Sequence, residues 1–372
     1  MEIQSKKSSW WSTFKNSYLK SHNLKKFYKN FDNKKLDEEL NQTIEVFIDS
    51  ASYSWTSKYW RKMMIDHLKL ITEFDLRNSE DILARNYFTF TYFNNSLIEE
   101  ACKNVQKNTF NLNLNLFKKH KNFSYEESLN HNILTFLIYE NIKEKKIFNY
   151  FEKLKKRKFN SHGNKPTINI NNNEVSQDDL NSLLEYEKIE EIIKNVKERK
   201  NNYLEIGSGS GRTSQTIMAI QNSIKYVIAD IPPAINVSYN NIRRFFPEKK
   251  ISYAFNIQSN QKLLNIIDRN DVIYIFPHQL DSFPKKFFDI SIAIDCLHEM
   301  EEKIVKRYMS YFEEKSNSLY FKVWENAALP NSFYKYYSVH NKKDYFIKDT
   351  WKEILKEKCI FPSNYYQIGY IF

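Results

Sequence analysis

The chain has 372 residues, of which 41% are hydrophobic and 16% aromatic, with five glycines and a formal charge of +11. The hydrophobic share can fill a buried core and excludes wholesale disorder, while the length is generous for one domain and comfortable for two. The positive charge invites phosphate partners, but acidic residues are mixed in along most of the chain, so it reads as a solvated basic surface.

Cys102, Cys296 and Cys359 are odd in number and far apart, which suits neither a disulfide framework nor a zinc cluster. Residues 1–11 carry charge without an apolar core, unlike a signal peptide. No run approaches the roughly 18 apolar residues of a spanning helix. A cytoplasmic protein without a transmembrane segment is therefore expected.

Taken in chain order, the residues before about 150 read as helical. The runs 66–71 and 133–138 sit in segments of mixed 3.6-residue apolar spacing, and no glycine precedes Gly163. The basic run Lys153, Lys155, Lys156, Arg157 and Lys158 reads as the charged last turn of a helix. Residues 160–166 and the asparagines 171–173 then make the best linker in the chain. The expected organisation is a helical domain over 1–160, a linker over 161–175 and a second domain over 176–372.

That second domain opens with Ser176 and Asp179, spaced as a capping box. Leu180, Leu183, Leu184, Ile189, Ile192, Ile193 and Val196 give the helix behind them an apolar stripe. The texture then changes to short β-rich runs at 203–207, 226–230, 272–276, 290–294 and 319–324, with helical stretches at 233–246 and 301–314. Such alternation predicts a doubly wound, mainly parallel sheet, whose ligands bind beyond the C-terminal strand ends where strand order reverses.

Three of the five glycines, Gly207, Gly209 and Gly211, fall directly after the first of these strands and before a helix. Backbone without Cβ turns sharply and lets a ligand approach closely. A dinucleotide fingerprint needs its third glycine one place later, where Arg212 stands, and a Walker loop needs a lysine that Gly211-Arg212-Thr213 lacks.

Glu205-Ile-Gly207-Ser208-Gly209-Ser-Gly211 instead resembles motif I of class I S-adenosylmethionine-dependent methyltransferases. The resemblance implies that Glu205 and the loop Gly207, Ser208, Gly209 and Gly211 hold the methionine moiety of S-adenosylmethionine. Asp230, followed by Ile231, ends the second strand and is where the family accepts hydrogen bonds from ribose hydroxyls. His278 and Gln279 follow the third strand, where the family contacts adenine, although a plain turn fits them nearly as well.

The fourth strand ends in Ile294-Asp-Cys-Leu-His298-Glu299-Met300. A zincin would need a second histidine at 302, which is Glu302, and no metal is expected. Nor does the strand end carry the Asp/Asn-Pro-Pro-aromatic run typical of nitrogen methyltransferases. It is similar to the Leu-His-Asp/Glu pattern of small-molecule O-methyltransferases, in which the histidine is the general base. A neutral imidazole suits an alcohol, which attacks well only as its proton is withdrawn. Glu299 then either orients the imidazole or simply starts a helix. Strand alternation is expected to turn Asp295 away from His298.

The wider pattern resembles a family of sugar O-methyltransferases associated with surface-polysaccharide synthesis. Residues 175–180, 183–186, 227–235, 277–280, 297–300 and 320–324 carry it, with Asp344-Tyr345 and Trp351. Ser210, where the motif often has an aromatic residue, departs from it. The likeness implies a Rossmann-like class I methyltransferase sheet of seven mostly parallel strands behind an N-terminal all-helical domain. It also implies S-adenosyl-L-methionine as cofactor and a sugar hydroxyl, on a small molecule or glycan, as acceptor. The helical region would be a lid, where Tyr53, Trp55, Tyr59 and Trp60 form core or stack on a sugar. Nucleic acid is not expected as partner. An RNA methyltransferase and an inactive cofactor-binding subunit are the competing readings.

Overall fold

The computed structural model describes residues 23–73, 119–120, 125–156, 166–170, 173–255, 257, 259–327 and 336–372. Residues 1–11, Cys102, Arg157, Lys158, residues 160–165 of the linker and Asn171-Asn172 lie outside the described residues.

The N-terminal part is helical where described: α1 (Leu24–Lys29), α2 (Glu38–Asp49), α3 (Ser52–Trp55), α4 (Lys58–Glu73), α5 (Tyr125–Ile142) and α6 (Phe151–Lys156). Asp37 starts α2 by accepting the Leu40 amide, and Glu38 and Glu39 lie in the first turn, where negative charge meets the positive end of the helix. Leu40, Ile44, Phe47 and Ile48 then recur on one face and are buried. Lys153, Lys155 and Lys156 do form the last turn of a helix, α6.

Part of the stretch read as linker is ordered as a hairpin, β1 (Thr167–Ile170) against β2 (Asn173–Ser176). The second strand runs straight into α7 (Gln177–Ile193), for which Ser176 is the N-cap. The Asp179 amide donates to Ser176 Oγ, and that hydroxyl donates in turn to the Asp179 carboxylate at 2.6 Å.

From there strands and helices alternate: β3 (Asn202–Ile206), α8 (Arg212–Ile220), β4 (Lys225–Ala229), α9 (Ala234–Phe245), β5 (Ile251–Tyr253), α10 (Asn260–Arg269), β6 (Val272–Ile275), β7 (Phe288–Ile294), α11 (Glu302–Lys315) and β8 (Ser316–Trp324). Two short strands pair with each other, β9 (Asn326–Ala327) and β10 (Tyr337–Ser338), before β11 (Lys352–Lys358) and β12 (Tyr365–Ile371) close the described chain. The main sheet has eight strands in the order β11-β12-β8-β7-β3-β4-β6-β5. Only the β11–β12 and β12–β8 pairs are antiparallel.

All five strand runs expected from the sequence are present, but the sheet has eight strands where seven were expected. The edge strand β5 spans three residues, too few to show a period. In β11, Lys352-Glu-Ile-Leu-Lys-Glu-Lys is mostly charged and leaves half of itself open to solvent, as edge strands do.

Alternate residues of the central strands feed two apolar layers. Tyr203, Tyr226, Ile228, Ile292 and Tyr320 face the N-terminal helices and α7. Leu204, Ile206, Val227, Ile273 and Leu319 face α11 and its neighbours. Burial on both faces is why these strands read as near-continuous apolar runs. Strand order reverses between β3 and β7, so the crevice lies beyond the C-terminal ends of those two strands.

Candidate functional site

Both halves of the crevice are built from strand ends. After β3 the backbone makes a sharp loop in which Gly207, Gly209 and Gly211 have φ of +69°, +58° and +77°. L-residues with a Cβ adopt that region at a cost of roughly 1–2 kcal/mol each. At Gly207 a Cβ would stand 3.1 Å from Cys296 Cβ, so the loop after β3 and the turn after β7 are in contact. Gly211 is the N-cap of α8, and a Cβ there would meet Ser238 Oγ at 2.6 Å.

Asp230, just past β4, reaches back under this loop. Its carboxylate accepts from Ser208 Oγ at 3.2 Å, the Gly209 amide at 3.1 Å and the Ile231 amide at 2.8 Å. No cation touches it among these partners. Burial pushes its pKa up to about 6, with the Ile231, Gly209 and Ser208 donors holding it back. A carboxylate offers about four acceptor positions, so Asp230 keeps capacity for a further hydroxyl donor. A buried carboxylate with only neutral donors is costly to the fold and fits a site built for a ligand's hydroxyls.

Glu205 lies deeper, 2% exposed, and accepts a hydrogen bond from the Tyr226 hydroxyl at 2.9 Å. Burial raises its pKa to about 7 against the pull of that hydroxyl and of Arg212. His278 and Gln279 occupy a 3-10 turn over 277–282. Gln279 spends its amide on backbone, accepting from the Phe276 N–H and donating to the carbonyls of Ala254 and Ile257. His278 is engaged by Ser52, through Nδ1 at 2.8 Å and its own amide at 2.9 Å, which ties the turn to α3. The structure thus gives both residues turn-forming roles.

At the end of β7, His298 has no exposed surface and stacks on Trp324 with ring centroids 4.9 Å apart. Among the described residues, neither ring nitrogen has a hydrogen-bond partner. Burial lowers its pKa to about 3, so the ring is neutral at ordinary pH. Its Nε2 lies 3.4 Å from Asp295 Oδ1, correcting the expectation that Asp295 points away. The physical reason is local: Asp295 has φ of +55°, and a left-handed residue breaks the alternation of the strand that precedes it. Asp tolerates this region better than most residues, which was the signal available in the sequence.

Asp295 also accepts a 2.5 Å hydrogen bond from the Tyr365 hydroxyl, and its side chain keeps 31% of its surface open. Burial lifts its pKa to about 6, with Tyr365, Lys322 and Arg212 opposing. Glu299 is turned elsewhere and takes a hydrogen bond from Trp60. Burial, then the charge of Asp295, raises it well above the carboxylate range. The acid beside the histidine ring is thus Asp295, while Glu299 meets Trp60.

A third group was not foreseen at all. Glu185 of α7, 1% exposed, receives Arg212 on both oxygens at 2.5 and 2.9 Å and Lys322 Nζ at 3.0 Å. Burial alone would raise its pKa, but the two cations override it and hold it down to about 2. Arg212 begins α8 and Lys322 lies in β8, so this cluster pins the glycine loop, α7 and the sheet together.

The aromatic residues 53–60 divide their roles. Trp55 stacks on Tyr311 with centroids 5.4 Å apart, and Tyr53 packs edge-on to Phe47. Trp60 reaches Glu299, and the Lys58 amide donates to Glu301 at 3.2 Å. The start of α4 thus covers the turn that follows β7.

No family model matches the sequence, and no curated protein matches it. Among solved structures, PhzM, a pyocyanin biosynthetic protein, is 15% identical over 52% of this chain and 56% of its own, with a TM-score of 0.33. An S-adenosylmethionine-dependent methyltransferase from Clostridium acetobutylicum is 10% identical over 50% of this chain and 90% of its own, with a TM-score of 0.34. TrmK of M. capricolum, held with S-adenosylhomocysteine, is 9% identical over 50% of this chain and 67% of its own, with a TM-score of 0.32. This chain spans little more than half of PhzM. At these identities and TM-scores the likeness carries no substrate or chemistry across. Among the described residues, no helix is long and apolar enough to cross a membrane.

Proposed function

We propose that the protein is an S-adenosylmethionine-dependent O-methyltransferase acting on a sugar hydroxyl, with His298 as general base. The observation that carries this is a buried neutral imidazole, unpartnered at both nitrogens, facing Asp295 across the crevice from the glycine loop and Asp230. S-adenosylmethionine, when bound, supplies an electrophilic methyl on a positively charged sulfur. Asp230 would hold the ribose hydroxyls, and the loop from Gly207 to Gly211 would let the methionine end lie against backbone. Glu205 would stand below that end. His278 and Gln279 would shape the adenine side through the backbone they fix. The helical region would serve as lid, since Ser52, Lys58 and Trp60 already touch the turns on either side.

Proton handling falls to two side chains. Asp295 beside Nε2 favours the tautomer with its proton there, which leaves the Nδ1 lone pair for the acceptor hydroxyl. As the hydroxyl proton reaches Nδ1, the imidazolium is stabilised by the Asp295 carboxylate at 3.4 Å. A buried base of pKa about 3 is weak, and negative charge on Asp295 would favour its protonated form.

A pH dependence follows. With Asp295 raised to about 6, its protonated form below that pH cannot support the imidazolium. The value of kcat/KM is expected to fall as pH drops through about 6 and to reach a plateau above it. Asp295→Asn should remove this limb and lower the plateau by about 10- to 100-fold, as when the partner orienting a functional histidine is lost. An acid limb unchanged in Asp295→Asn would contradict the pairing.

The acceptor class is tested by methyl transfer from labelled S-adenosylmethionine into fractionated extract of the source cells. Label in the carbohydrate fraction is the expected outcome. Label in RNA overturns the sugar assignment, and no label in any fraction favours an inactive cofactor-binding subunit.

A further inference from the structure

Two side chains near the crevice have no work in the scheme above. Gln177 and Asn181, in the first two turns of α7, are each 1% exposed, and among the described residues both amide atoms of each lack a hydrogen-bond partner. Four buried amide atoms without partners are an expense that folded proteins rarely carry without a ligand or ordered water to satisfy them.

Helix geometry says where they stand. Residues 177, 181 and 185 are four apart and share one face of α7. Glu185 on that face meets Arg212 at the start of α8 and Lys322, whose register partner on β7 is Ile294, the residue before Asp295. So Glu185 is level with the C-terminal strand ends. The helix leads into the start of β3 and runs opposite to the parallel strands, so its N-terminal turns continue past those ends. At 1.5 Å per residue, Asn181 lies about 6 Å and Gln177 about 12 Å farther out, past the level of those strand ends. Asp178, on the same side, is close enough to act on the Arg212 charge.

We propose that Gln177 and Asn181 form the recognition site for the acceptor, a neutral polyhydroxyl ring engaged through adjacent hydroxyls. The inference rests on the sugar reading given above. A carboxamide presents one acceptor and two donors side by side, and each sugar hydroxyl is both donor and acceptor, so the pair can serve a diol. The zwitterionic end of the cofactor would call for charged partners, whereas Arg212 already has both terminal nitrogens on Glu185 and Asp178 acts on that same guanidinium. The amides therefore suit an uncharged ligand.

The test uses Asn181→Leu and Gln177→Met in the full chain, near-isosteric changes that remove the unsatisfied atoms. The readouts are thermal melting, S-adenosylhomocysteine affinity by calorimetry, and labelling of extract carbohydrate as a function of extract added. Melting should hold steady or rise, because an unpartnered buried amide is replaced by an apolar group. Cofactor-product affinity should stay unchanged. The amount of carbohydrate giving half-maximal labelling should rise about tenfold or more, with the saturated rate retained. If Asn181→Leu fails to fold, Gln177→Met carries the same comparison. Unchanged half-saturation, with carbohydrate labelled, overturns the recognition site and leaves the sugar reading standing. Weakened binding of S-adenosylhomocysteine gives the amides to the cofactor and also overturns it. Absence of carbohydrate labelling by the wild type overturns both.

Discussion

His298→Gln is expected to lower methyl transfer by about 100- to 10,000-fold while leaving S-adenosylhomocysteine affinity unchanged, the range general-base removal commonly produces. The split between rate and binding is the informative part. His298 sits on the β7 side of the crevice, stacked on Trp324 and facing Asp295, while the loop and Asp230 occupy the β3–β4 side. Glutamine keeps polarity and much of the volume but has no basic nitrogen. Steady-state kinetics and calorimetry on one preparation check both halves. A rate drop below about tenfold would mean that alignment of hydroxyl and methyl suffices without a base.

Glu185→Gln should destabilise the fold by about 3–5 kcal/mol, because it takes from the buried cations Arg212 and Lys322 the carboxylate that both of them hold. That is a large part of the roughly 5–15 kcal/mol that holds an ordinary domain folded. The loss is expected in urea unfolding first, and in activity through the fold and the glycine loop that the cluster pins. The sign with pH is fixed by the pKa held down to about 2. The charge on Glu185 stabilises the fold above its ordinary carboxylate range, and this contribution is lost as pH falls toward about 2. A loss under about 1 kcal/mol would show that water reaches the cluster and screens it.

Much of the sheet was legible because buried parallel strands leave apolar runs, and the loop was legible because glycine is so scarce here. Gly207, Gly209 and Gly211 all take positive φ, so their clustering in the sequence marked a real backbone need. Asp230 stands just past the end of the neighbouring strand, and its carboxylate meets that same loop. What the sequence hid was long-range or off-pattern. Glu185, Arg212 and Lys322 are brought together from three elements, and nothing local couples them. Asp295 turned toward His298 because of one left-handed residue, which no periodicity reports. Gln279 looked free to meet a ligand but folds back on its own turn and on the carbonyl of Ala254. The hairpin β1–β2 was read as linker because its strands are four residues each and separated by asparagines.

The central claim is that the crevice between β3 and β7 holds S-adenosylmethionine with Asp230 on its ribose. Calorimetric titration of S-adenosylhomocysteine into the wild type and into Asp230→Ala tests it most directly. One site per chain, weakened at least about tenfold by the substitution, is the expected result, given what hydrogen bonds to a charged carboxylate contribute. No binding by the wild type, or equal binding by both proteins, would contradict it.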